Sequence, residues 1–143
     1  KVEPDAVLAA GLLHDLGKYY CIQHGGHHAQ IGGAWVQAET GNPLIAQGVM
    51  HHVYWPWETD VERYFLPLVI IYADKRVKHA DVVGLEERYD DLFERYGQGN
   101  EYIFERIAIS AQQCVEIELA LGRILEKDLN AHSFDCRRLV LGT

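Results

Sequence analysis

Apolar residues recur at every third or fourth position through most of this chain, and that spacing constrains its fold more than any other feature. Pro4 is well placed as a first helical residue, and Val7, Leu8, Gly11 and Leu12 follow it at helical spacing. The sequence contains no internal repeat and no convincing pair of strands. The pattern therefore predicts an all-α fold.

Glycine and proline interrupt the helical pattern and set the predicted boundaries. The predicted helices run to about residue 16, over 29–39, over 43–52, from about 60 to 79, over 84–97 and over 100–129, the last as one helix or two. Residues 19–28 are predicted to be a loop because they are rich in glycine and histidine, and 53–60 because Trp55 precedes a proline. Pro67 marks either a kink or a helix start, and the tail 135–143 has no clear pattern.

Composition places the chain among ordinary globular proteins. Its 143 residues are 48% hydrophobic and 24% charged, which predicts a single domain over 1–143 with a substantial core. The three cysteines are an odd number without CxxC spacing, so a disulfide framework or a cysteine zinc site is not expected. We therefore expect reduced cysteines and a cytoplasmic protein.

Charge and hydropathy exclude two classes of partner. The longest apolar run, 65–73, is well short of the ~20 residues that span a bilayer, so no membrane partner is expected. A formal net charge of −8 argues against broad capture of nucleic acid, which requires a basic face. A small phosphate remains compatible with this charge, since a local metal ion can supply positive charge.

Histidine and aspartate residues gather where the predicted helices begin or end. They are His14 and Asp15 after the first helix, His28 at the start of the second, His51 and His52 at the end of the third, and Asp74 on the fourth. One such histidine alone is usually a capping or surface residue. A mixed set of this kind suits a borderline or hard transition metal, and it does not suit calcium.

Asp74 differs from the other members of this set because its helical neighbours are apolar. Ile70, Ile71 and Val77 lie three or four positions from it, which directs its carboxylate inward. An isolated buried carboxylate is costly unless a metal, a cation or a bound proton offsets its charge.

Four segments taken in order resemble one enzyme superfamily. "LLHDLGK", "HAQIGGAW", "HH" and "YADKRV" are similar to the motifs of the HD-domain metal-dependent phosphohydrolases, in particular the HDIG type. The resemblance covers about residues 6–78, and residues 84–129 form a helical extension without an assigned motif. It implies a compact HD-domain helical bundle with ligands at its helix ends.

The resemblance also implies roles for individual residues. His14, Asp15 and Asp74 would hold a first metal, while His28 and the pair His51 and His52 would hold a second metal or face the phosphate. Lys18 would bind a phosphate oxygen, and Asp15, Lys18 and Asp74 form the implied catalytic set. The cofactor would be one or two divalent transition-metal ions, drawn from Mn, Fe, Ni, Co and Zn.

Two further positions are candidates for substrate contact. Trp55, in "WPW", either stacks on a nucleobase or fills the core, and Arg76 either reaches a phosphate or lies on a solvated helix face. The family also has a metal-binding histidine on an upstream helix, and no residue before His14 corresponds to it. Either a helix precedes Lys1 in the natural protein, or the site is incomplete.

We therefore predict a phosphohydrolase that acts on a nucleotide-like phosphomonoester or phosphoanhydride through metal-activated water. One alternative is a cyclic-dinucleotide phosphodiesterase, suggested by the adjacent histidines, although "VYWPWE" stands where that branch has "GYP". A catalytically inactive nucleotide-binding or sensor module and a di-iron oxygenase are the others. The expected partner is a small phosphorylated molecule, and a homo-oligomer is left open.

Overall fold

The computed structural model describes residues 2–130 and divides the chain into two compact units, Lys1–Asp74 and Lys75–Thr143. Helices dominate the described part of both units, and the strands found there are two residues long. The prediction of an all-α fold is confirmed in this coarse form. The prediction of one domain over 1–143 stays a prediction, and the tail 135–143 lies outside the described residues.

Five helices build the described part of the first unit, and the last of them ends at its boundary. They are α1 (Pro4–Leu13), α2 (Lys18–His24), α3 (His28–Thr40), α4 (Pro43–Met50) and α5 (Phe65–Lys75). Helix α4 packs against both α1 and α3, and α2 packs against α3. Ala10, Leu66 and Ile70 form one buried cluster, and Val36, Ala46 and Val49 form another. These contacts place the ends of α1 and α4 and the start of α3 in one unit.

Local capping explains where these helices begin and end. Gly41 adopts a left-handed conformation with φ of 64° and ends α3. Asn42 then caps α4, because its side-chain oxygen accepts hydrogen bonds from the backbone N–H groups of Leu44 and Ile45 at 3.1 and 3.3 Å. The described loop between α4 and α5 includes the predicted loop at 53–60.

The predicted loop over 19–28 is wrong for most of its length, because Lys18–His24 forms α2. The glycines that suggested a loop, Gly25 and Gly26, lie at its end and have φ values of 77° and 103°. They stop α2 and turn the chain into α3. The residues before them carry no helix-breaking side chain.

The second unit contains a short hairpin and a helical pair. Strands β1 (Val77–Lys78) and β2 (Asp81–Val82) pair antiparallel, so the predicted fourth helix stops at α5 and does not reach residue 79. Helix α6 (Leu85–Leu92) continues as a π-helical turn over Phe93–Gly97 and packs against α7 (Glu101–Leu125), which is a single helix. In that packing the Tyr89 hydroxyl contacts Ser110 Oγ at 2.8 Å.

Two glycines allow backbone segments of the first unit to approach closely. A Cβ atom at Gly17 would lie 2.4 Å from the carbonyl oxygen of His28 and 3.0 Å from the amide nitrogen of Gly32. A Cβ atom at Gly33 would lie 2.7 Å from the Cβ of Met50. The turn between α1 and α2 therefore lies directly on the first turn of α3, and α3 lies directly on the end of α4.

Within residues 2–130, no helix combines the length and the apolar character needed to cross a bilayer.

We expect Gly17→Ala to destabilise the first unit by at least about 2 kcal/mol, because the added methyl group would overlap a backbone carbonyl that cannot rotate away. Tryptophan fluorescence during urea unfolding measures this effect. All three tryptophans, Trp35, Trp55 and Trp57, belong to the first unit.

Gly11→Ala is the matched control. Its Cβ would lie 4.0 Å from the Ile70 side chain, which is ordinary contact, and alanine favours a helix interior over glycine by about 1 kcal/mol. This variant should be as stable as the wild type or more so. Equal unfolding free energies for the two alanine variants would contradict the close packing at Gly17.

Candidate metal centre

Four elements of the first unit supply the candidate site. His14 and Asp15 lie in the turn between α1 and α2, and His28 is the first residue of α3. His52 follows the end of α4, and Asp74 is the penultimate residue of α5. These residues are far apart in the sequence and meet only through the packing of the helices.

Asp15, His28 and His52 form a triad whose ligand atoms all lie within 4.8 Å of one another. The two Nε2 atoms of His28 and His52 are 3.1 Å apart, and Oδ1 of Asp15 lies 3.3 and 3.6 Å from them respectively. Two ligands about 2.1 Å from a metal are about 3.0 Å apart at a right angle, about 3.4 Å at the tetrahedral angle and about 3.6 Å at 120°. The spacing therefore fits a transition-metal ion.

Backbone carbonyls fix the orientation of two of the histidine rings. Nδ1 of His52 lies 2.7 Å from the carbonyl oxygen of Val49, and Nδ1 of His14 lies 2.7 Å from that of Gly11. A carbonyl oxygen can only accept a hydrogen bond, so Nδ1 carries the proton in both rings. In the neutral rings Nε2 is then left with a lone pair for a metal.

Asp15 lies between two groups of ligands. Its Oδ1 faces the histidines of the triad, while its Oδ2 lies 3.6 Å from Nε2 of His14. That same Nε2 is 3.7 Å from Oδ1 of Asp74. The structure thus brings five of the six predicted metal ligands into one cluster, in which three histidines face the Asp15 carboxylate and Asp74 lies beside His14.

Lys18 pairs with this carboxylate. Its Nζ lies 2.7 Å from Oδ2 of Asp15, and 58% of its side chain is exposed. The ammonium group therefore offsets negative charge at the site while it remains accessible to a ligand from solvent.

The environment shifts several pKa values in directions that favour metal binding. Burial alone raises the pKa of Asp15, but the hydrogen bond from Lys18 and the nearby charges of His14 and Lys18 bring it below its ordinary value of 3.8. Burial lowers the pKa of His28, and it lowers that of His52 to about 4. At neutral pH the triad therefore contains a carboxylate and two neutral imidazoles, the forms that bind metals.

His51 is placed differently from its neighbour His52. Its ring makes edge contacts with Trp55 and Trp57, at centroid distances of 5.3 and 5.1 Å. Burial lowers its pKa as well. The triad includes His52 and not His51, and metal binding by His51 stays a prediction.

Trp55 is a core residue in this structure, one of the two roles that the sequence leaves open. Only 1% of it is exposed, and its indole N–H donates a hydrogen bond to the carbonyl oxygen of Glu58 at 3.0 Å. Its ring contacts Tyr64 at 4.8 Å. This burial favours the packing role over direct contact with substrate.

Arg76 makes its hydrogen bonds inside the second unit. Its guanidinium donates to the carbonyl oxygens of Val83 and Leu129 and forms an ion pair with Glu118 at 3.2 Å. Its contact with substrate stays a prediction.

The hydrogen bonds from the His14 and His52 rings to backbone carbonyls are not predicted by the sequence patterns described above. In both cases the acceptor lies three residues before the histidine, in the last turn of the preceding helix: Gly11 for His14 and Val49 for His52. A histidine one or two residues beyond a helix C-terminus is the signal that indicates such an acceptor, because unpaired carbonyls point out of that end.

Comparisons of this chain with protein-family models, with curated proteins and with solved structures find no match.

We expect His28→Ala and His52→Ala to weaken Mn²⁺ or Zn²⁺ binding by at least about 100-fold, because each removes a ligand of the triad. Equilibrium dialysis with elemental analysis measures the affinity. His24→Ala is the control, since this exposed residue at the end of α2 contacts Tyr20. If the control loses as much affinity as the triad variants, the metal binds elsewhere.

The metal-free protein should become less stable as the pH falls from about 7 to about 4. Unfolded His52 takes up a proton near 6.5, whereas the folded residue does so only near 4, so the unfolded state binds more protons in this window. His52 alone should remove about 2 kcal/mol of unfolding free energy between pH 7 and pH 5. Urea unfolding followed by tryptophan fluorescence tests this, and His52→Gln should flatten the dependence. An unchanged slope in that variant would contradict the assignment.

Proposed function

We propose that this chain is an HD-type metal-dependent phosphohydrolase that acts on a nucleotide-like phosphomonoester or phosphoanhydride. One observation carries the proposal: five predicted ligands from four separate elements form one cluster, in which three histidines face the Asp15 carboxylate and Asp74 lies beside His14. Backbone carbonyls orient two of the three histidine rings. The order of motifs along the chain, which resembles that of the HD superfamily, supports the same conclusion.

The donor set defines the class of metal. Three imidazoles and two carboxylates suit Mn, Fe, Co, Ni or Zn, whereas calcium prefers a shell of oxygen atoms. The two oxygens of Asp15 face different neighbours, with His28 and His52 on one side and His14 and Asp74 beyond the other. With this division, His28 and His52 would hold one ion and His14 and Asp74 a second, and Asp15 would be available to both.

A bound transition metal supplies a water of near-neutral pKa and positive charge opposite a phosphoryl group. The chain's own residues supply the ligand charge and the oriented lone pairs. Asp15 is ionised at neutral pH and keeps its charge available to the metal. His52 and His14 are held by their Nδ1 hydrogen bonds, so their lone pairs do not have to reorient.

In this proposal Lys18 binds the phosphate. In this structure its ammonium contacts Asp15, and its exposure leaves room for a second oxygen partner from solvent. A phosphate oxygen would replace or share the contact with Oδ2, because an ammonium group has three donors. The local positive charge allows a phosphate to bind although the chain carries a net charge of −8.

We expect Asp15→Asn and Asp74→Asn to lower kcat by at least about 100-fold with a phosphomonoester, because each removes an anionic group from the ligand cluster while changing little volume. The assay uses Mn²⁺-supplemented protein with p-nitrophenyl phosphate and a panel of nucleoside phosphates. Elemental analysis of each variant gives the number of bound ions.

Asp81→Asn is the matched control, since Asp81 is an exposed residue of the second unit. It should keep wild-type turnover. Metal-loaded wild-type protein that hydrolyses no phosphomonoester or phosphoanhydride would overturn the proposal. Hydrolysis confined to a cyclic dinucleotide would favour the phosphodiesterase instead.

A further inference from the structure

A group of aromatic rings lies in the loop that follows α4. We define the aromatic wall as His51, Trp55 and Trp57. The indole of Trp57 lies 4.7 Å from that of Trp55 and 5.1 Å from the imidazole of His51, both measured between ring centroids. The interplanar angles are 67° and 73°, so neither neighbour is stacked flat on the indole of Trp57.

Trp57 is the exposed member of the wall. It is 56% exposed, whereas Trp55 is 1% exposed and contacts the indole of Trp57 with its own ring. Pro56, between the two tryptophans, restricts the backbone of the loop. The indole of Trp57 therefore has two aromatic contacts while much of its surface faces solvent.

The wall is adjacent to the candidate metal centre. His51, which contacts Trp57, is followed directly by His52 of the triad, and their Cα atoms are about 3.8 Å apart. The exposed indole of Trp57 therefore contacts the residue that directly precedes a candidate metal ligand.

We propose that Trp57 stacks on an aromatic ring of the phosphorylated substrate, so that this centre selects phosphates that carry such a ring, as a nucleotide carries its base. The inference rests on the proposed function, because it requires the phosphate to lie at the triad and Lys18. Stacking on an indole tolerates different bases, since every base presents a π-face. The selection is therefore for an aromatic group and not for one base.

The test compares two ligands that differ only in the ring. Adenosine 5′-monophosphate and ribose 5-phosphate share a sugar and a phosphate, and only the first carries a base. Calorimetry with Mn²⁺-loaded protein gives Kd for each, and steady-state kinetics gives KM and kcat. Trp57→Ala should weaken binding of the adenosine ligand by about tenfold and leave that of ribose 5-phosphate within about twofold.

Two further variants separate stacking from a structural effect. Trp57→Phe keeps a π-face and should restore most of the lost affinity. Trp35→Ala removes another partly exposed tryptophan, on α3, which contacts Tyr20, and should change neither ligand. Three outcomes would overturn the inference. Trp57→Ala could weaken the binding of both ligands equally, Trp57→Ala could leave the binding of both unchanged, or the wild type could fail to bind the adenosine ligand.

The same experiment distinguishes failure of the proposed function from failure of the stacking site. If the wild type hydrolyses no phosphomonoester or phosphoanhydride of the panel but binds the adenosine ligand in a Trp57-dependent way, the stacking site stands and the hydrolase proposal falls. If the wild type and Trp57→Ala hydrolyse both phosphates with the same kcat/KM, the hydrolase stands and the stacking site falls.

Discussion

The close backbone packing of the α1–α2 turn on the first turn of α3 is the contact on which the candidate site depends. Gly17 lies against the carbonyl oxygen of His28, and no side chain fits between them. Asp15, two residues before Gly17, is thereby brought within 3.3 Å of the His28 ring. The second close approach, of Gly33 on Met50, sets α3 against the end of α4, which His52 follows. Two missing Cβ atoms therefore determine the spacing of the triad.

This spacing gathers groups whose charges have to be offset. The carboxylates of Asp15 and Asp74 both lie near Nε2 of His14, and within the described residues Lys18 supplies a cation to Asp15. Burial keeps His52 neutral down to a pH of about 4, so it cannot balance the carboxylates at neutral pH by taking up a proton. A divalent ion would supply the positive charge and satisfy the histidine lone pairs at once. The cluster is better suited to holding a cation than to stabilising the fold.

Much of the fold and of the site follows from local sequence patterns. The helical period predicts the helices and the order of their ends, and the polar residues at those ends predict the ligand set, because a helix end places its side chains at a boundary between elements. The two-residue strands could not be predicted, since such short pairing depends on packing and not on pattern. Helix α2 is not predicted, because the glycines that end it lie in the same histidine-rich segment and favour a loop there.

The different surroundings of the His51 and His52 rings could not be predicted from the sequence either. Both histidines follow α4. The ring of His52 contacts the carbonyl oxygen of Val49 and the ring of His28, whereas the ring of His51 contacts two tryptophans. Consecutive residues beyond a helix end leave the chain in different directions, so adjacent histidines need not share a site. Trp55 is buried and Trp57 is exposed, on the two sides of Pro56. One loop after α4 thus carries a candidate metal ligand and an exposed aromatic ring, which are the two chemistries that the proposed recognition of an aromatic phosphate requires.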